Sequence, residues 1–175
     1  VPIIFPATQT DDNGLGSNHV KRVYVDEASV FVATWGGGVS ISTNGGENFS
    51  IKTVSNGLRS DRVYDVFASN GTVYAATDAG LSISTNGGDL FDVSQLDGME
   101  VYGVYANAAK VYASTNAGFF ISNNSGTTWT SAEGFDSISP GNVTGNGSQV
   151  YVATAGDGLA VLNSDEDSLT FIKKV

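Results

Sequence analysis

Several residue types are absent or scarce in this 175-residue chain, and each shortage excludes a class of structure. There is no cysteine, which excludes disulfides and thiolate metal sites. Lysine and arginine number 8 against 18 acidic residues, and the net charge of −10 argues against binding a nucleic-acid backbone, which requires clustered cations. No apolar run approaches the roughly 18 residues that a membrane-spanning helix requires. We therefore expect no nucleic-acid partner and no membrane insertion.

Histidine and proline are also rare. His19 is the single histidine, and without a constellation around it we interpret it as a surface residue rather than a catalytic one. We expect neither a metal site nor a cofactor. The chain opens on Val1-Pro2 rather than on a basic leader, so we expect a mature or trimmed chain. The acidic balance suits an extracellular or cell-surface protein, with the periplasm as an alternative.

What the chain has in abundance is a repeat. A strand-like motif occurs as VFVAT, VYAAT, VYAST and VYVAT, starting at Val30, Val73, Val111 and Val150, with intervals of 43, 38 and 39 residues. Units of roughly 40 to 45 residues with four strands each indicate propeller blades. The motifs are β-branched, aromatic and small without polar alternation, which is typical of strands covered on both faces. A glycine opens the following strand in every copy, as a tight loop requires: Gly38, Gly80, Gly118 and Gly158.

These repeats predict an all-β fold, a single β-propeller domain over 1–175. Its four four-stranded antiparallel blades are expected at about 19–58, 62–98, 101–135 and 141–175, with one extra N-terminal outer strand at 1–15. The spare strand could close a four-bladed ring as a clasp or pair with a neighbouring molecule. Alternatively, the chain is a segment of a larger propeller, with two copies completing eight blades. We prefer the closed ring, because an open arc would expose two apolar blade faces.

A second repeated motif carries a family resemblance. SNNSGTTW, from Ser122 to Trp129, resembles the Asp-box, or BNR, repeat with its pattern Ser-x-Asp-x-Gly-x-Thr-Trp; STNGGENF and STNGGDLF match it more loosely. Asparagine replaces the family's aspartate in all three. NGLGSNHV and NGLRSDRV, from Asn13 and Asn56, are similar to linkers in two-component-regulator-type and photosystem-assembly-type propellers. The resemblance implies a propeller in which the box is a structural turn away from the active face. The expected turn residues are Asn44, Gly45, Asn86, Gly87, Asn124, Gly126 and Trp129.

The opposite side of the propeller is where we expect a ligand. There the loops between the second and third strands of each blade meet the connections between blades. Trp35 stands out, because it lies in TWGGG where other copies have Asp, Asn or Ala, and an exposed tryptophan among adaptable glycines can stack on a sugar or a protein ligand. The alternative is that Trp35 plugs the channel. The expected ligand-binding residues are Trp35, Asp78, Asn116, Asp157, Arg59 and Arg62.

The family resemblance also raises sialidase-like glycoside hydrolysis, which implies three arginines from different blades and a tyrosine nucleophile with a carboxylate partner. The chain has three arginines, and all of them fall around the first two blades: Arg22, Arg59 and Arg62. The candidate tyrosines lie in strands and are interpreted as core residues: Tyr24, Tyr64 and Tyr102. We therefore expect no enzyme. The first hypothesis is a non-catalytic propeller that binds protein or glycan, and the alternative is a structural assembly subunit linked through its N-terminal strand as a filament, surface layer or two-chain ring.

Overall fold

The computed structural model describes residues 10–12, 14–108, 110–135, 138–163 and 168–172, and they form four antiparallel sheets of four strands. In each sheet, strands consecutive in sequence are neighbours in space. The predicted all-β architecture of four four-stranded blades is confirmed. The expected N-terminal outer strand cannot be compared, because residues 1–9 and Asn13 lie outside the described residues.

The strands of the first two blades are separated by a short 3₁₀ turn at Val54–Asn56. Blade 1 consists of β1 (Val20–Asp26), β2 (Ser29–Thr34), β3 (Val39–Ser42) and β4 (Ser50–Lys52). Blade 2 consists of β5 (Val63–Ser69), β6 (Thr72–Thr77), β7 (Gly80–Ser84) and β8 (Val93–Gln95).

The other two blades repeat this order. Blade 3 consists of β9 (Val101–Asn107), β10 (Lys110–Thr115), β11 (Gly118–Ser122) and β12 (Thr130–Ser131). Blade 4 consists of β13 (Pro140–Gly145), β14 (Gln149–Thr154), β15 (Leu159–Asn163) and β16 (Ser168–Ile172). The first strands β1, β5, β9 and β13 contact one another in sequence order, which places them side by side along the inner edge of the blades.

The core lies between the blades rather than within any one of them. Phe31 and Ala33 of blade 1 are buried in one cluster with Val66 and Ala68 of blade 2. Equivalent clusters join blade 2 to blade 3 and blade 3 to blade 4. A second strand such as β6 is therefore covered on both sides, which is why its sequence has no polar alternation.

The arc formed by the four blades is open, which corrects the preferred closed ring. β1 contacts β5, but it does not pack against β13 as neighbouring first strands pack on each other. Val23 of β1 is 52% exposed, whereas its counterparts Val66 and Val104 are 1% and 2% exposed. A fifth blade, or another molecule, would have to stand beside blade 1 to cover that side chain.

One buried carboxylate links three blades. The Asp65 side chain on β5 is 2% exposed and forms an ion pair with Arg22 Nε of blade 1 at 3.4 Å. Its oxygens accept hydrogen bonds from the backbone N–H groups of Val66 at 2.9 Å and Val104 of blade 3 at 3.0 Å. Burial raises the pKa of Asp65 to about 6. The hydrogen bond from Val104, the charge of Arg22 and the hydrogen bond from Val66 each lower this pKa, but by less than burial raises it.

The box-like turns between third and fourth strands share one hydrogen-bond pattern. In blade 2, the buried Ser84 Oγ donates to Asn86 Oδ1 at 2.7 Å and accepts from Gly88 N–H at 3.0 Å, while Asn86 Oδ1 accepts from Leu90 N–H at 3.1 Å. Blades 1 and 3 repeat this set around Asn44 and Asn124. An amide oxygen suffices as the acceptor, so asparagine can build this turn where the Asp-box pattern has aspartate.

The third turn adds two side-chain bonds. The Asn124 amide donates to Thr128 Oγ1 at 2.9 Å, and Trp129 Nε1 donates to the Gly126 carbonyl at 3.0 Å. Gly126 has a positive φ of 87°, and a Cβ there would lie 2.7 Å from Ile83 Cδ1 of the preceding blade. A Cβ on Gly88 would likewise meet Ile41 of blade 1, so the turns of blades 2 and 3 also rest against the preceding blade.

Candidate functional site

Four short loops form the face on which the sequence predicts a ligand, and each is closed in the same way. The threonine that ends the second strand donates its hydroxyl to the carbonyl of the glycine at or just before the start of the third strand: Thr34 to Gly38, Thr77 to Gly80, Thr115 to Gly118 and Thr154 to Gly158, at 2.7 to 2.9 Å. Only two or three residues remain between threonine and glycine. The loops are consequently short and tightly held.

The first residue of each loop is tied to the connection that enters its blade. Its N–H donates to a carbonyl just before or at the start of the first strand: Trp35 to His19, Asp78 to Arg62, Asn116 to Glu100 and Ala155 to Ser139, at 2.9 to 3.2 Å. The side chains at these four positions are thereby carried on equivalent backbone. In blade 4 this position belongs to Ala155, so the predicted Asp157 lies in the expected loop but two residues later.

Trp35 begins a row of aromatic side chains that crosses three blades. Its ring centroid lies 4.9 Å from that of Tyr64 on β5, and Tyr64 lies 5.4 Å from Tyr102 on β9 in an edge-on arrangement. All three side chains are partly exposed. Tilted and edge-on pairs at these distances are favourable aromatic geometries. The row is therefore a continuous platform that solvent can reach.

Two cations flank the Trp35 ring. Lys21 Nζ lies 5.1 Å from the ring centroid and Arg62 Cζ lies 5.6 Å from it, within the range of cation–π attraction. Trp35 also forms an isolated backbone bridge with Arg62. These contacts hold the indole while its side chain stays half-buried.

A carboxylate lies at the far end of the row. Tyr64 Oη donates to Glu100 Oε2 at 3.3 Å. Burial, followed by the nearby Glu100 charge, raises the pKa of Tyr64 to about 12. The pKa of Tyr102 is raised by burial and by its hydrogen bond to Glu100. Both phenols are therefore neutral donors at physiological pH.

A cavity of about 440 Å³ opens beside Trp35, lined by Asn18, His19, Val20, Lys21 and Trp35. His19 is exposed at its rim, and its backbone N–H bonds to Ser17 Oγ at 3.2 Å. Another cavity of about 470 Å³ lies between blades 3 and 4, near Thr130 and Leu162, but no aromatic side chain lines it. The cavity beside Trp35 combines an aromatic ring with the cationic side chain of Lys21.

The structure gathers some of the predicted ligand residues and separates others. Arg62 joins Trp35 and also pairs with Asp78, with 3.4 Å between Arg62 Nη1 and Asp78 Oδ2. Arg59 instead pairs with Asp97, at 3.3 Å. Asn116 is exposed, and its Oδ1 accepts from the Glu100 backbone N–H at 3.2 Å.

Tyr64 and Tyr102 are the residues that the sequence reasoning missed, because the interpretation as core was wrong for both. They lie where the register of the first strand shifts against the second, which turns the side chain away from the blade interface. Lys21 occupies the same position in blade 1. The signal was present in the sequence: the second residue of the first strand varies between blades, while the first and fourth residues of that strand are mostly valine.

Comparisons with known proteins support the fold. No protein-family model matches the sequence, and no curated protein matches it. An ancestral GH74 enzyme superposes with a TM-score of 0.72 at 22% identity, over 91% of this chain and 25% of its own length. The extracellular domain of BT3049 from B. thetaiotaomicron, assigned to a hybrid two-component system, gives 0.72 at 19% identity, over 92% of this chain and 22% of that one.

A computationally designed protein, Ika4, matches with a TM-score of 0.67 at 12% identity, over 86% of this chain and 95% of its own length. The chain thus spans about a quarter of the length of the first two proteins but nearly all of the designed one. At these identities the likeness establishes a shared propeller fold. No group of three metal-ligating side chains occurs in the part of the chain that the structure describes, and none of its described helices could span a membrane.

Proposed function

We propose that this chain is a non-catalytic binding propeller that engages a glycan or protein ligand through the face carrying Trp35. The observation that carries the proposal is the platform of Trp35, Tyr64 and Tyr102, partly exposed and flanked by Lys21 and Arg62. Aromatic rings bury large apolar area at low entropic cost, and flanking charges and hydroxyls supply directional bonds. A stacked sugar ring or an apolar protein side chain fits this combination.

The charges on the face support binding without catalysis. A carboxylate clamp of the sialidase type would require free arginines, and here every arginine pairs with an aspartate: Arg22 with Asp65, Arg59 with Asp97 and Arg62 with Asp78. The raised pKa of Tyr64, about 12, disfavours the phenolate that a nucleophile requires. An extracellular or cell-surface location is part of the proposal, and the extracellular domain of BT3049 with the same fold supports it.

Tryptophan replacement provides the test, because the chain has two tryptophans on different sides. Trp35→Ala should weaken capture on an array of neutral and acidic oligosaccharides and of immobilised extracellular proteins by roughly 10- to 100-fold, as expected for an aromatic anchor. Trp129→Phe is the control, since Trp129 belongs to a box-like turn. Unchanged binding by Trp35→Ala, or equal losses in the two variants, would contradict the proposal.

A second candidate function is that of an assembly subunit. The exposed side of blade 1 favours it, because an open arc leaves apolar surface for another chain. The version that links subunits through the N-terminal strand concerns residues outside the described ones. Deleting residues 1–12 should abolish assembly if that strand is the link, and an unchanged particle size by light scattering would count against it.

A further inference from the structure

The two ends of the blade arc expose faces that are buried everywhere else in the molecule. On blade 1 we define the leading face by Val20, Val23 and Val25, which are 43%, 52% and 57% exposed. The residues at the same positions of blades 2 and 3 are buried: Val63, Val66 and Ala68 at 0 to 3%, and Val101, Val104 and Ala106 at 0 to 6%. The difference arises because no blade among the described residues packs against this side of blade 1.

The opposite end shows the complementary pattern. On blade 4 we define the trailing face by Tyr151, Ala153, Leu159 and Val161, all of them exposed or half-buried. Their counterparts in blade 2, which a following blade covers, are buried: Tyr74, Ala76, Leu81 and Ile83 at 0 to 3%. Blade 4 therefore retains the aromatic, small and aliphatic side chains of an inter-blade interface without a blade to cover them.

The two faces are matched halves of one interface. Between blades 1 and 2, Phe31 and Ala33 of the trailing side share a cluster with Val66 and Ala68 of the leading side. Tyr151 and Ala153 hold the positions of Phe31 and Ala33, while Val23 and Val25 hold those of Val66 and Ala68. The trailing face of one molecule can thus cover the leading face of another through the packing already seen between its own blades.

We propose that two copies of this chain pack head to tail, trailing face on leading face at both junctions, to form a two-chain ring of eight blades. Propellers usually have four to eight blades. A ring made of whole copies of this four-bladed arc has either four or eight blades within that range. The exposed leading face excludes a ring of four blades. A head-to-tail interface yields a closed ring when the rotation between subunits closes. Since Val20 also lines the cavity beside Trp35, the second copy would stand next to that cavity.

Light scattering of the 175-residue chain tests the stoichiometry. The expected mass is twice that of the 18.1 kDa chain, and the dimer should tighten with salt because each copy carries a net charge of −10. Val23→Lys should weaken dimerisation by at least about 100-fold, because it would bury an unpaired charge. Val54→Lys is the control, because this valine lies in the 3₁₀ turn, outside both faces, and is 54% exposed, close to the 52% of Val23. A single-chain mass, an open-ended polymer or equal effects of the two variants would overturn the proposal.

Crosslinking tests the polarity, and the absence of native cysteine makes it unambiguous. Val23→Cys and Ala153→Cys proteins, mixed and then oxidised, should form a disulfide-linked pair containing one chain of each. Neither variant alone should crosslink efficiently, because Val23 of one copy meets the trailing face and never Val23 of the other. Efficient crosslinking of Val23→Cys with itself would show a symmetric interface and would overturn the head-to-tail arrangement.

Discussion

The buried Asp65 carboxylate should make stability fall as the pH rises toward neutrality. Its pKa in the folded state, about 6, lies above the ordinary 3.8, so between these values the folded chain binds a proton more tightly than the unfolded chain. Stability rises with pH only where the unfolded state binds more protons, and here the opposite holds. The stabilisation is fully present below pH 3.8 and is lost as the pH rises through about 6.

The magnitude follows from the size of the shift. Two pKa units correspond to about 3 kcal/mol in total, of which a little over 1 kcal/mol is lost between pH 5 and pH 7. That interval keeps the protein away from its isoelectric point near 4.2, where association would interfere. Urea unfolding at pH 5, 6 and 7, followed by the fluorescence of the two tryptophans, measures the free energy of unfolding at each pH.

Asp65→Asn isolates the contribution of this residue, because asparagine does not titrate. Between pH 5 and pH 7 the free energy of unfolding of the wild type should drop by roughly 1 kcal/mol more than that of Asp65→Asn. Asp92→Asn, which alters an exposed aspartate, should keep the slope of the wild type. If the wild type gained stability relative to Asp65→Asn over this range, Arg22 and the two backbone N–H groups would outweigh burial, and the reasoning would be refuted.

Two further predictions concern the box-like turns. Ser84→Ala removes the acceptor of the buried Gly88 N–H and should cost about 2 to 4 kcal/mol of unfolding free energy in urea titrations; a loss below about 0.5 would contradict the importance of the turn. Gly126→Ala should cost about 2 to 3 kcal/mol of unfolding free energy, since its Cβ would meet Ile83. Gly87→Ala, which also has a positive φ, 74°, but open space around it, should cost about 1 kcal/mol. In an Ile83→Val background, the cost of Gly126→Ala should fall toward that of Gly87→Ala. If the double-mutant cycle of positions 83 and 126 showed no coupling energy, the contact between the added Cβ and Ile83 would be contradicted.

The sequence predicts the blades because their periodicity is strong, but it cannot show whether they close into a ring. Val23 and Val66 are both valine and occupy the same position of the first strand in their blades, yet Val23 is 52% exposed and Val66 is 1% exposed. Burial of these side chains depends on whether a neighbouring blade stands beside them, and residue type does not report that. Closure is set by the angle between blades, which is a collective property of the packing.

The candidate site was predicted in part for a similar reason. Trp35 and Arg62 come together as neighbours because the loop and the inter-blade connection share one face. Tyr64 was assigned to the core because an aromatic residue in a strand usually is buried, but the register shift in β5 redirects its side chain. The sequence reasoning aligned Asp157 with Trp35, because two glycine-containing loops of equal length can be aligned in more than one way. In the structure, Ala155 is the residue whose backbone N–H makes the bond equivalent to that of Trp35.

The backbone bond that anchors the first residue of every loop has a consequence for evolution. It uses only an amide hydrogen, and in this chain tryptophan, aspartate, asparagine and alanine all provide it. Any amino acid except proline could therefore be selected there by a single codon change without disturbing the framework. A lineage of such repeats can accordingly exchange its recognition chemistry one blade at a time, and a face that holds one tryptophan here could hold several in a descendant.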